Sequence, residues 1–338
     1  MSTVLDEPMV SPPTEIVLPS LPGCVLEVYR TQEDWLGARN SVIGASESAS
    51  IFGVGYADES PMTVWARKRG ILESKEDTEL LECGRVLQPA IIELFRRRYL
   101  KAYPERTPNF NVTPLGEYTL CKSVKHPWLG ASLDDHFFDS EGLAIVEAKN
   151  VSIFMSHGWD DEDPPLKFHI QGQQQMAVTG ADRCFVVGLI GGNRLRFKEA
   201  RRNQKFIDAM INTLGEFQEL VDEGIEPSGK WIDGTEATKK ALARMHPKDN
   251  GETTVLPLES ADWHRALVDA KAARKEAETA VLLYGNHLQQ AIGDNTFGLL
   301  PDGTRYSNKH QDKQIYCCEK CGHTKRCQPF PVLRHSKK

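Results

Sequence analysis

Near residue 112 the helical period of the preceding sequence stops, and up to about residue 150 short apolar runs separated by turn residues replace it. Residues 118–121, 128–138 and 143–148 are rich in β-branched and aromatic side chains, which predicts a three-strand meander. Asp163 and Pro164 then open a helix to about Val178. The solid apolar run 184–190 and its neighbour 194–198 form a hairpin across Gly191-Gly192-Asn193. Phe206, Ile207, Met210, Ile211, Leu214, Phe217, Leu220 and Val221 recur at helical spacing. The order helices, three strands, helix, two strands, helix defines an α/β core.

Upstream, Thr31 and Asp34 form a capping pair for a short helix to about Arg39, and Ser46 starts a second. Ser60 and Pro61 suit the N-cap and first position of a third helix ending at Gly70. Residues 78–103 are helical with Pro89 inside, and its missing N–H predicts a kink or a division there.

A chain of 338 residues has room for about two domains, or one enlarged core with an appendage. Residues 1–23 hold five of the nineteen prolines and no apolar period, so they are expected to be a flexible leader. The core is expected over 24–229, a helical arm over 230–297 that includes a long amphipathic helix at 260–292, and a turn-rich tail over 298–338. At 40% hydrophobic and 26% charged, the composition excludes collagen, wholesale disorder and a coiled-coil rod. The sequence has no apolar run of about 18 residues, and its start is acidic, which points to the cytoplasm and no membrane. Cys24, Cys83, Cys121 and Cys184 are scattered singly and are expected as buried thiols.

The net charge of −6 opposes a nucleic-acid partner until it is located along the chain. Residues 301–338 carry +6 and the rest −12, which fits polyanion at one place and divalent metal at another. Arg96-Arg97-Arg98 and Arg201-Arg202 are read as solvated faces rather than a DNA channel. His126, His136, His157 and His169 gain no partner by spacing, and the run Gln173–Gln175 is too short to signal low complexity.

The segment with chemical content joins Asp134 at the end of one strand to Glu147-Ala148-Lys149 on the next. Residues two apart on a strand share a face, so Glu147 and Lys149 project together. Two carboxylates and the carbonyl of Ala148 offer hard oxygen ligands for Mg²⁺ or Mn²⁺. Lys149 can orient the attacking water and offset charge on a phosphate. The alternative from the residues alone is a salt bridge on a hairpin.

The ordered motifs "RNSVIGASESASIFG", "ECGRVLQPAIIELF", "GASLDDHF", "IVEAKN" and "IQGQQQMAVTG" run from about Trp35 to Val187. Together they resemble the YqaJ-type viral recombinase family of lambda exonuclease-like phage nucleases, within the PD-(D/E)XK nuclease superfamily. The resemblance implies a restriction-endonuclease-like core with a central mixed sheet flanked by helices. It implies digestion of linear duplex DNA from a 5′ end with two Mg²⁺ per site, in a ring-shaped homotrimer that hands a 3′ strand to an annealing protein. It also implies a phage or prophage origin in a bacterial host. Asp134 and Glu147 match the metal-binding acids, Lys149 the catalytic lysine and Ser132 a neighbouring site position. Arg39 and Ser46 match the positions that seat a 5′-phosphate, and Gln171 and Gln173 the glutamine motif beside the site.

Two positions depart from the family pattern. Gln88 stands where a glutamate is usual, so the second metal is expected to bind weakly. Ser-Leu-Asp-Asp replaces Ser-Pro-Asp-Gly, leaving Asp135 a bystander on the opposite face. The alternatives are a nicking or structure-selective endonuclease, and a DNA-binding or assembly protein whose catalysis has faded. In the tail, Cys318 and Cys321 form a knuckle that Cys327 and either Cys317 or His323 complete as a structural Zn²⁺ site, the alternative being reduced thiols.

Overall fold

The computed structural model describes residues 14–16, 21–73, 78–110, 115–311, 315–317, 324–326 and 330–336. The chain forms two compact units, Met1–Asp249 and Asn250–Lys338. In the first unit the order is β1 (Thr14–Ile16), β2 (Cys24–Val28), α1 (Gln32–Asn40), β3 (Ile43–Gly44), α2 (Ala45–Ile51), α3 (Pro61–Lys68), α4 (Glu79–Ala102) and β4 (Thr119–Ser123). It continues with β5 (Leu129–Ala131), β6 (Asp135–Asp139), β7 (Gly142–Val151), α5 (Leu166–Thr179), β8 (Arg183–Ile190), β9 (Arg194–Arg201), α6 (Gln204–Glu223) and α7 (Glu236–Met245).

The strands make a five-stranded sheet, β1-β2-β4-β5-β3, and a four-stranded sheet, β6-β7-β8-β9. Both are mixed, because β3 runs parallel to β5 and β7 parallel to β8. The link from β7 to β8 is α5, as a parallel pair requires a crossover. All eight residues of β8 are buried. Alternation divides them: Cys184, Val186 and Ile190 join one apolar cluster, while Phe185, Val187 and Leu189 join a second built around Ile91, Phe95 and Tyr99 of α4. The seven-residue apolar run of the sequence is therefore a strand covered on both faces.

Caps fix most helix starts. The hydroxyls of Thr31, Ser60, Thr78 and Thr235 each accept from the backbone N–H three residues on. Ser46 does not start α2: Gly44 is its N-cap, and the Glu47 carboxylate accepts from the Gly44 N–H at 2.8 Å. Pro89 lies within α4, which continues as one helix through it. The run 128–138 is not one strand. It breaks at Ser132-Leu133-Asp134, and its two halves, β5 and β6, belong to different sheets.

Three residues of the expected leader, Thr14–Ile16, pair antiparallel with β2. The first unit also runs 20 residues past 229, the expected end of the core. Ala237, Thr238 and Ala241 of α7 are buried, so this helix belongs to the first unit and not to an arm beginning at 230. Cys24, Cys121 and Cys184 are buried, but Cys83 is exposed on α4. No described helix is long and apolar enough to cross a membrane.

The second unit contains α8 (Ser260–Ile292), β10 (Phe297–Leu299), β11 (Arg305–Gln311), β12 (Ile315–Cys317), β13 (Thr324–Arg326) and β14 (Phe330–Ser336). β10, β11 and β14 form one sheet, and β12 pairs with β13.

Candidate active site

The break between β5 and β6 positions the first carboxylate. Asp135 pairs with Val146 across β6 and β7, which sets Asp134 beside the Glu147–Ala148 step, and its Oδ2 accepts from the Ala148 N–H at 2.7 Å. Glu147 and Lys149 project to the opposite face of β7 from Val146 and Ala148, and Lys149 Nζ is ion-paired with Glu147 Oε1. Glu147 is only 2% exposed. Polar groups so buried require hydrogen-bonded partners.

Those partners come from α5. Gln171 Nε2 donates to Glu147 Oε1 at 2.7 Å, and Gln175 Nε2 donates to Glu147 Oε2. Four residues apart on a helix, the two carboxamides share one face. Behind them the Cys184 thiol donates to Gln175 Oε1 at 3.7 Å, which turns the amide nitrogen toward Glu147. Gln175 Nε2 also approaches the carbonyl of Ser132 at 3.4 Å.

Gln173, expected beside the site, is not there. Its side chain points to the far side of α5, donating to the Arg201 carbonyl at 2.8 Å and accepting from the Asn203 N–H at 3.0 Å. The residue that the motif missed is Gln175. The helical period was the available signal, because Gln171 and Gln175 are in phase and Gln173 is not. Gln174 takes a third direction, donating to the carbonyls of Ile43 at 2.8 Å and Gly130 at 2.9 Å and accepting from the Ser48 hydroxyl.

The electrostatics follow from this packing. Burial, and then the neighbouring charge of Glu147, push the Asp134 carboxyl up to about 8, although Lys149 and the Ala148 N–H offset part of the effect. Burial works against the Lys149 charge, but Glu147 and Asp134 more than compensate and hold its ammonium well above the ordinary lysine range. Lys149 is thus a cation and hydrogen-bond donor here, not a free base.

Arg39 and Ser46 also come together: Arg39 Nη2 lies 3.1 Å from Ser46 Oγ, and the guanidinium sits over the Trp35 ring at 4.7 Å. Two neighbours were not foreseen. Lys68 pairs with Glu47 at 2.9 Å and donates to the Val42 carbonyl at 2.6 Å. Burial, and then Arg67, lower the Arg39 pKa while Glu47 supports its charge. Gly44 pairs in parallel with Gly130, so β3, which leads into Ser46, and β5, which leads into Ser132, leave the sheet at the same end. Ser132 Oγ is buried and has no hydrogen-bond partner among the described residues.

Gln88 is half-buried on α4, the helix packed on the opposite face of β7 from Glu147. Among the described residues it makes no hydrogen bond to Asp134 or Glu147. Asp135 points away from Glu147 and binds Arg96 of α4 at 2.6 Å, so Arg96 is tied to the protein rather than free for DNA. Cys317 ends β12, while Cys318, Cys321, His323 and Cys327 lie outside the described residues.

The donor set fits a hard divalent cation that keeps several waters. Two carboxylates whose mutual repulsion is only partly offset, a nearby backbone carbonyl and a serine hydroxyl unpartnered among the described residues offer oxygen only. No cluster of three or more His, Cys, Asp or Glu exists among the described residues, so an all-protein cage is not formed.

The fold and site define a mixed α/β protein with two carboxylates and a lysine at the seam between its sheets. Residues 34–182 match the model of the YqaJ-like viral recombinase domain, which bears out the resemblance read from the five motifs. That segment contains Arg39, Ser46, Gln88, Ser132, Asp134, Glu147, Lys149, Gln171 and Gln175. The uncharacterized protein YqaJ of Bacillus subtilis (strain 168) is 22% identical over 275 residues, 80% of this chain and 81% of its own. The alkaline exonuclease LHK-Exo from Laribacter hongkongensis aligns at a TM-score of 0.45 and 20% identity, covering 63% of this chain and all of its own. LHK-Exo in complex with dAMP aligns at 0.44 and 20% identity, over 58% of this chain and 95% of its own.

Proposed function

We propose that the first unit is a PD-(D/E)XK nuclease that hydrolyses linear duplex DNA from its ends in phage-type recombination. The observation that carries this reading is the meeting of Asp134, Glu147 and Lys149 at one point. Asp134, Glu147 and the carbonyl of Ala148 would hold Mg²⁺, with Mn²⁺ as a substitute. When bound, such a cation supplies Lewis-acid stabilisation of the phosphoryl charge and lowers the pKa of the attacking water.

The protein's own groups divide the remaining work. Gln171 and Gln175 fix the Glu147 carboxylate, leaving it no freedom to rotate away. Protonated Lys149 offsets charge on the attacked phosphate and orients the water. Arg39 and Ser46 take the terminal 5′-phosphate, an arginine fork and a hydroxyl being suited to its oxygens. Gln88 in place of an acid leaves a second cation weakly held. A homo-oligomeric ring, a single-strand annealing partner, a zinc knuckle in the second unit and action in the bacterial host cytoplasm complete the proposal.

The test is digestion of a linear duplex with and without a 5′-phosphate, against a covalently closed circle, in Mg²⁺ and in EDTA. Mg²⁺-dependent loss of the linear form alone is expected, abolished by Asp134→Ala or Glu147→Ala. Cleavage of the circle would favour an endonuclease, and near-normal digestion by either variant would refute the assigned site.

A further inference from the structure

One cation near the site has no part in the roles assigned above. Lys167 stands four residues before Gln171 and eight before Gln175, so the three side chains form one stripe along α5. Gln171 and Gln175 end on Glu147. One turn earlier the stripe reaches the neighbourhood of Lys149, two residues beyond Glu147 on the same face of β7. The geometry is explicit: Lys149 Nζ lies 5.3 Å and Lys167 Nζ 4.9 Å from the centre of the same Phe168 ring.

Lys167 is held there by aromatic faces rather than by a carboxylate. Its ammonium lies 4.0 Å from the centre of the Tyr56 ring, and no carboxylate pairs with it among the described residues. Phe168 is buried in the core, so one wall of this seat is fixed. Burial, and then the charge of Lys149, lower the Lys167 pKa. The molecule thus keeps two like charges on one ring and neutralises only Lys149, through Glu147. Such an arrangement is favourable when an anion joins it, because cation–π contacts hold an ammonium in position without consuming its charge.

We propose that Lys167 is a substrate-binding residue that contacts a phosphate of the DNA strand flanking the one attacked. This rests on the nuclease reading of the site. Lys149 serves the phosphate under attack, and Lys167, one turn before Gln171 on the stripe, holds the strand by its neighbour.

The test uses the full chain, a linear duplex oligonucleotide and Ca²⁺ as a non-cleaving cation, with affinity measured across a range of NaCl concentrations. Each phosphate contact contributes about 0.9 to the slope of log affinity against log salt. Lys167→Gln is expected to make that slope shallower by about one contact and to raise KM severalfold with a smaller change in kcat. Lys167→Arg is expected to keep the slope. An unchanged slope and KM in a folded Lys167→Gln protein would overturn the proposal while leaving the nuclease reading intact. Wild-type protein that neither binds nor cleaves the duplex would overturn both.

Discussion

Asp134→Asn separates the electrostatic strain of the site from its fold. In the protein without metal, burial and then Glu147 raise the Asp134 carboxyl from an ordinary 3.8 to about 8. Unfolding returns it to water. Between those two values the folded chain therefore holds a proton that the unfolded chain has released, and stability falls as pH rises through the window, levelling off above about 8. At about 1.4 kcal/mol per pH unit the ceiling is about 6 kcal/mol. Because the Asp134 titration is coupled to its surroundings, about half of that ceiling, about 3 kcal/mol, is the working figure between about pH 5 and pH 9. Asparagine keeps an oxygen for the Ala148 N–H but cannot ionise. Urea unfolding in EDTA should show wild type losing that amount relative to Asp134→Asn over this range. Saturating Mg²⁺ at the higher pH should restore wild type and not the variant, since the cation needs the ionised carboxylate. A difference between the two proteins that stays constant with pH would refute the reasoning.

Arg39→Ala should impair digestion of 5′-phosphorylated duplex at least tenfold more than of 5′-hydroxyl duplex; equal losses measured on the two substrates would remove the end-binding role. Gly172→Ala would put a Cβ 2.9 Å from Cys184 Sγ, an overpacking that costs about 1–3 kcal/mol and lifts α5 from β8. Thermal melting and activity should fall together, because Gln171 and Gln175 move with the helix; wild-type activity would mean that their contacts with Glu147 are dispensable. Gln88→Glu should lower the Mg²⁺ concentration for half-maximal cleavage, and an unchanged midpoint in a metal titration would place Gln88 away from the metal.

The elements that the sequence disclosed most clearly are those whose determinants are local. Thr31, Ser60 and Thr78 cap helices within three residues of themselves, and the start and end of α8 follow the expected 260–292. The meeting of Asp134, Glu147 and Lys149 followed from strand alternation and the motif order. What stayed hidden depended on distant partners. Nothing in residues 128–138 announces that their two halves join different sheets, because each half has ordinary strand composition. Gly44 as N-cap was hidden because the bonding carboxylate belongs to Glu47. Gln175 was legible by phase yet lost in a run of identical residues.

The four glutamines of α5 have a collective consequence. Apolar helices pack through contacts that tolerate small rotations, but Gln171 and Gln175 bond toward β7, Gln173 toward the start of α6, and Gln174 toward β3 and β5. Each bond is directional, and together they admit a single rotational setting of the cylinder. Removing or inserting one residue near the start of α5 would turn everything beyond it by about 100°. The grip on Glu147, the join to α6 and the tie between β3 and β5 would then be lost at once. A segment built this way accepts substitution at one carboxamide more readily than any change in its length.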